Sequence, residues 1–416
     1  MFARLLPALA LGLLVSACSH VPPSPAGTKP QAAAPAPVAA LPPPPAPVAA
    51  PAPVAAPVAP LPVRSGTAAL LLPLSGPSAP VGAALLNAAQ LALFEIGDTT
   101  FTLLPIDTKG TPEGAQAALQ SAVAQHAEII LGPLFGSETR AIAAQARQLH
   151  LPVLSFTSDR TAVGDGVYSL GFLPGPQAEQ VALYARAQGK PRLAVLAPST
   201  DDGQRIAQFL QNDAALAGDI VALQYYDPAA TDLTAPLHQL VHADAQHPGD
   251  VGFDALLLPD SGPRLRNLAS MLSLQGVDPA KVKLLGTMLW ATADPGSEPA
   301  LVGGWYAAPP QAGHDDFDRR YQQAFGSRPP RIASLGYDAT ALAAVLARKA
   351  GHDFSDAALQ ISTGFAGVDG LFRLLPDGTA ERRYAIDEVE GGGQPPKEIA
   401  PAPASFQQPL PDGATP

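Results

Sequence analysis

The chain has 416 residues, a net charge of −11 and 48 unevenly spread prolines. That length exceeds one average domain, and an acidic balance without a basic stripe excludes nucleic acid as a partner. A single cysteine rules out an intramolecular disulfide, so the folded region must rest on a large core.

Residues 1–17 read as a secretion signal. Arg4 supplies positive charge, Leu5 to Val15 is an apolar run too short to span a bilayer, and Val15-Ser16-Ala17 are the small residues before cleavage. Cys18 follows directly. The arrangement resembles the bacterial lipobox, in which the cysteine becomes the lipid-modified first residue. Ser19 stands next, where Asp would mark retention in the inner membrane. In a Gram-negative cell that implies a periplasmic protein, lipid-anchored to the outer membrane and touching the membrane through its anchor only. Residues 18–63 are a disordered Pro/Ala/Val-rich tether in which polyproline II is the expected state. At about 3.1 Å per residue, roughly forty residues reach on the order of 120 Å.

From residue 64 the pattern alternates. TAALLLPLSG is a buried strand running into a loop that carries Ser75, and Val81 to Ile96 is helical. FTLLPID is the next strand, ending at Asp107. A helix then opens at Thr111-Pro112. Ile129 to Leu131 is a strand buried on both faces, and Ser137 or Thr139 caps the helix that follows. Val153-Leu154 starts another strand, which runs into Ser155, Thr157 and Ser158. The alternation predicts a parallel sheet covered on both faces, with the two polar loops side by side at its carboxyl edge, where such sheets bind ligands. The first loop feeds a helix N-terminus suited to an anion.

VYSLGF is one more strand. After Pro174 and Pro176 the rhythm restarts, with helices at 177–188, 203–217, 232–243 and 264–274 between strands RLAVLA, 219–226, FDALLLPD and KVKLLGT. Two α/β units in succession predict two lobes with a ligand cleft between them. From Asp315 the chain is helical, DDFDRRYQQAF and then IASLGYDATALAAVLARKAG, followed by a short helix capped by Ser355. GFAGVDGLFRLLPDGTAERRYAIDEV reads as a β-hairpin turning at Pro376-Asp377-Gly378. Residues 391–416 are Gly/Pro-rich and read as a disordered tail. Abundant alanine and few aromatics predict helix packing through small residues.

Five stretches carry a resemblance: PLSG with Gly82 before the first helix, LGPLFGSET, LPVLSFTSD, LGYDATALAAVLA, and GFAGVDGLFR. In this order, over about Arg64 to Val389, the chain resembles the type I periplasmic binding proteins, in their branched-chain amino-acid binding branch. The implied fold is α/β, two Rossmann-like lobes joined by three crossings near 173–176, 307–312 and 364–370. Lobe 1 would comprise 64–175 plus 310–366, and lobe 2 would comprise 176–309 plus 367–390.

In solute-binding members, hydroxyls of the two first-lobe loops hold the ligand carboxylate, which implies Ser137, Ser155, Thr157 and Ser158 here, with Ser75 nearby. The second-lobe loop that normally offers an acid to the ammonium group reads Thr287-Met288-Leu289-Trp290, without a carboxylate before Asp294. Asp260 is the nearest substitute. Trp290 lines the cleft or fills the core. The family also has a lipoprotein branch, the outer-membrane activators of penicillin-binding proteins, whose anchor and reach match Cys18, Ser19 and the tether.

The sequence contains no HExxH, GxSxG, Walker A loop or paired cysteines, so no enzyme activity, cofactor or metal is expected. His238 and His242, four apart with His247 beyond, read as a solvated helix end. Asp315, Asp316 and Asp318 read as carboxylates at a helix start. The leading expectation is a non-enzymatic regulator that binds and activates a bifunctional penicillin-binding protein. The alternative is the substrate-binding protein of an ABC transporter, for an amino acid or related small solute.

Overall fold

Strand β1 (Thr67–Leu72) sets the first lobe, because its side chains alternate between two cores: Ala68, Leu70 and Leu72 face one, Ala69 and Leu71 the other. The computed structural model describes residues 66–241, 251–292, 294–348 and 352–408. The predicted signal, Cys18, the tether, His242, His247 and residues 409–416 lie outside them.

Around β1 the chain lays down α1 (Ala79–Ile96), β2 (Thr102–Asp107), α2 (Pro112–Ala124), β3 (Ile129–Leu131), α3 (Gly136–Gln148), β4 (Val153–Ser155) and β5 (Val167–Ser169). The five strands form a parallel sheet in the order β2-β1-β3-β4-β5. Thr111 opens α2 as expected, its side chain accepting from the Gly114 N–H with proline next. Gly82 cannot be replaced without movement, since a Cβ there would lie 2.1 Å from the Pro73 carbonyl oxygen.

The second unit follows with α4 (Pro174–Ala187), β6 (Leu193–Pro198), α5 (Asp201–Asn212), β7 (Ile220–Tyr226), α6 (Thr234–Val241), β8 (Ala255–Leu257), α7 (Gly262–Leu274), β9 (Lys283–Thr287) and β10 (Trp305–Ala308). Strand β10 has no counterpart in the sequence reading. It is four residues long, and the segment before it is 3-10 turns rather than helix. The chain then returns to lobe 1 with α8 (Gln311–Phe325), α9 (Ala333–Arg348) and α10 (Asp356–Leu359). Helix α9 lies on α1 through small side chains, as the alanine content predicts: a Cβ on Gly336 would meet the Leu85 carbonyl oxygen at 2.5 Å.

The rest is β11 (Phe365–Gly367), β12 (Gly370–Leu374), β13 (Ala380–Arg382), β14 (Ala385–Glu388) and β15 (Lys397–Ala400). Two expectations are corrected here. The hairpin β12–β13 turns where predicted, but with β11 it forms its own three-stranded sheet, and Phe372, Leu374 and Ala380 join the lobe 1 core. The third crossing therefore lies near Tyr384, not at 364–370. Of the stretch read as a hairpin, only β14 enters the second sheet, ordered β15-β14-β10-β9-β8-β6-β7. The expected disordered tail instead contributes edge strand β15, antiparallel to β14. Beyond it, Phe406 lies under the guanidinium groups of Arg373 and Arg383, 4.5 and 4.7 Å from its ring centre. One short strand between Gly- and Pro-rich stretches leaves too little pattern to read.

Candidate functional site

The loops after β3 and β4 do lie side by side, since those strands pair directly. Three of their hydroxyls, on Thr139, Ser155 and Thr157, are however buried. Ser155 is 0% exposed. Its Oγ sits 2.7 Å from Thr139 Oγ1, donates to the Pro133 carbonyl at 3.1 Å and accepts the Thr157 N–H at 3.2 Å. Thr157 is also buried, its Oγ1 accepting the Asp159 N–H and its carbonyl taking the Ser169 hydroxyl. These groups stitch one loop to the next. Ser137 is exposed but does not line the cleft.

The helix cap is corrected as well. Neither Ser137 nor Thr139 caps α3. The Glu138 carboxyl takes the Phe135 N–H at 2.9 Å, so the chain's own side chain occupies that helix end. Burial pushes the Glu138 carboxyl up. Ser75 is likewise committed, donating to Asp107 Oδ2 at 2.6 Å. Burial opposes ionisation of Asp107, yet hydrogen bonds from Ser75, Lys109 and Leu74 outweigh it and hold the carboxyl below its ordinary value.

Between the lobes lies a cleft of about 1210 Å³. Lobe 1 offers Phe156, Ser158, Arg160 and Arg331, and lobe 2 offers Asp260, Thr287, Met288 and Phe209. Of the seven predicted cleft residues, Ser158 and Asp260 line it; Ser75, Ser137, Ser155, Thr157 and Trp290 do not. Asp260 is already engaged. Tyr226 donates to its Oδ2, the Ser261 N–H lies 2.7 Å from Oδ1, and Arg264 stands 3.8 Å away. Trp290 resolves as core. It is 0% exposed, its Nε1–H donates to the Leu258 carbonyl at 3.0 Å, and Gly286 must lack a side chain because a Cβ would lie 2.2 Å from the indole. Trp305 is half-buried at the side of the second sheet, edge-on to Tyr184 with Lys283 Nζ over its ring.

Several residues around the cleft were not anticipated. Gln177 and Gln180, in the first turns of α4, are both buried. Gln177 donates to the Leu173 carbonyl at 3.1 Å and accepts the Met288 N–H at 2.9 Å, tying the first crossing to the loop after β9. Gln180 exchanges hydrogen bonds with the backbone of Tyr384 at the third crossing. Arg331 reaches from the cleft to Asp369 at 2.9 Å and to the Pro309 carbonyl at 3.5 Å. Arg160 pairs with Asp377 at 3.3 Å and stands 5.7 Å from the Phe209 ring across the cleft. Glu179, also on the wall, is pushed up to about 7 by burial and by neighbouring Asp213. The available signal was two glutamines three apart on an otherwise apolar helix face.

Metal-type side chains do not converge: among the described residues no group of three or more His, Cys, Asp or Glu is placed to hold an ion. Asp315 accepts from Gln311, Asp316 pairs with Arg319, and Asp318 with Arg328.

The chain belongs to the periplasmic binding protein family, whose model matches residues 67–394. Its two α/β lobes are those of the type I members, and membership implies a periplasmic location. Three solved structures illustrate the likeness. One is a branched-chain amino acid ABC transporter protein from Rhodospirillum rubrum (TM-score 0.69, 18% identity, covering 80% of this chain and 100% of that one). Another is LivJ from Streptococcus pneumoniae with isoleucine (0.55, 19%, 81% and 100%). The third is the LpoA C-domain from Haemophilus influenzae, a regulator of PBP1A (0.62, 19%, 80% and 99%). At such identities the likeness is one of fold. No curated protein sequence matches the chain.

Proposed function

We propose that the protein is a lipid-anchored, non-enzymatic regulator of cell-wall synthesis that docks on a bifunctional penicillin-binding protein. The observation that carries this reading is the inward turn of the hydroxyls at Thr139, Ser155 and Thr157. A free amino acid entering the cleft would have to break those bonds to gain a carboxylate site. It would also find Asp260 already holding Tyr226 and the Ser261 N–H. Replacing satisfied buried hydrogen bonds by ligand bonds gains little. Cys18, Ser19 and the tether supply the anchor and reach the role needs, and the LpoA C-domain shares the fold.

A second reading, a receptor for a small amino-acid-like solute, is favoured by the cleft itself, which is roomy and carries Ser158 and Asp260 on opposite walls. Surface-immobilised full-length protein would be exposed to the bifunctional penicillin-binding proteins of the source cell, and separately heated with a panel of free amino acids. The regulator reading expects saturable capture of one synthase and no thermal shift by amino acids. Stabilisation by one amino acid, as ligand linkage requires of a receptor, with no synthase captured, overturns it.

A further inference from the structure

On the outer side of lobe 1, α9 and the β11–β12 hairpin leave a second groove, of about 640 Å³. One wall is a single helical face: Asp338, Ala341, Leu342, Val345 and Leu346 follow the i, i+3, i+4, i+7, i+8 spacing. Phe365 and Phe372 stand opposite, and Ile361 is also in the lining. The size and the apolar lining are those of a small-molecule pocket.

One feature separates this groove from a packing defect. Asp338 is 4% exposed, yet only one of its carboxyl oxygens is used. Oδ1 accepts the Val368 N–H at 2.8 Å, and Oδ2 has no hydrogen-bond partner. Leaving a buried carboxyl oxygen unpaired is costly. Gly367, also in the lining, lets the β11 backbone come close on one side of it, since a Cβ there would lie 2.4 Å from Oδ2. The described lining residues include two carboxyl groups, Asp338 within and Asp353 at the rim, and no Lys, Arg or His. Tyr337 at the rim donates its hydroxyl to Glu95. Behind Asp338 stand Asp369, held by Arg331 and His314, and Arg382, which stacks over Phe172 and Phe372.

We propose that this groove binds an apolar primary amine, its nonpolar body along Leu342, Val345 and Phe365 and its ammonium group donating to Asp338 Oδ2. A neutral alcohol would gain the apolar contact alone, and a carboxylate would meet two like charges. Burial and the neighbouring Asp369 push the Asp338 carboxyl up to about 7, so the ionised partner the amine needs is present above that pH and the site weakens as pH falls through it. This inference is independent of whether the protein docks on a synthase or binds a solute in the cleft.

The test is calorimetric titration of the full-length protein at about pH 8 with hexylammonium, hexanol and hexanoate. Expected is saturable single-site binding of hexylammonium, about tenfold or more tighter than hexanol, with hexanoate weakest. Asp338→Asn should bring hexylammonium down to the hexanol value. Val345→Trp, filling the groove from its half-exposed wall, should abolish both. No saturable hexylammonium binding, hexanoate binding equally well, or amine binding that survives Val345→Trp would overturn the proposal. If Asp338→Asn does not fold, the amine–carboxylate contrast and Val345→Trp still decide.

Discussion

Replacing Asp338 by Asn tests the buried carboxyl through stability alone, with no ligand present. In the folded chain its proton is held to about 7, against an ordinary 3.8, with burial the main cause and Asp369 the second. The folded state therefore binds more protons than the unfolded chain between those values. The stability this group confers is full below the ordinary value and is lost as pH rises through about 7. At about 1.4 kcal/mol per decade the whole loss is ~4 kcal/mol, and roughly 2–3 kcal/mol of it falls between about pH 5 and about pH 8. Asn cannot ionise, so the variant should gain on the parent by that amount over the same interval. Its amide N–H group, placed where Oδ2 finds no partner, adds a constant penalty that does not change with pH. Urea midpoints of parent and variant, taken across the interval, give the difference directly. A parent-minus-variant difference that stays flat with pH would show that Asp338 titrates normally, and the reasoning from burial would fail.

Trp290→Ala should cost about 3–5 kcal/mol, because it empties a fully buried site and removes one of the two donors to the Leu258 carbonyl, the Asp260 N–H being the other; chemical denaturation checks this, and any cleft ligand or partner should still bind. Ser155→Ala should cost about 1–2 kcal/mol through the lost loop-to-loop bonds, read by thermal unfolding, without a change in capture of a synthase. Truncation after Gln394 should lower the melting temperature, since it removes β15 from the edge of β14 and Phe406 from beneath Arg373 and Arg383; an unchanged transition would mean those contacts are idle.

Much of the frame was legible in the sequence because its strands are buried on both faces. Ile129 to Leu131 and Val153-Leu154 are continuous apolar runs, and helix α2 before them carries a Thr-Pro start and an alanine-rich stripe. Strand β10 hid because its four residues follow irregular turns, and β15 because Ile399 and Ala400 are the only apolar pair in a polar, proline-spaced tail. The hairpin's turn was plain from Pro376-Asp377-Gly378, but not its lobe. That depends on where Phe372 and Leu374 find a core, which is a tertiary matter. The site was the least legible part. Residue type placed Ser155 and Thr157 in the right loops, yet whether a hydroxyl faces a ligand or the Pro133 carbonyl depends on backbone direction that one-dimensional pattern does not carry. Gln177, Gln180 and Arg331 tie segments far apart in sequence, and nothing local to them marks that role.

Docking on a synthase is the role proposed for this two-lobed protein. The direct measurement is the rate of glycan-strand polymerisation by a bifunctional penicillin-binding protein from the same cell envelope, with and without the full-length protein in equal amount. A regulator that acts by docking gives a faster, saturable rate for one synthase, retained in Ser155→Ala. An unchanged rate with every such synthase, together with tight binding of a free amino acid in the cleft, would contradict it.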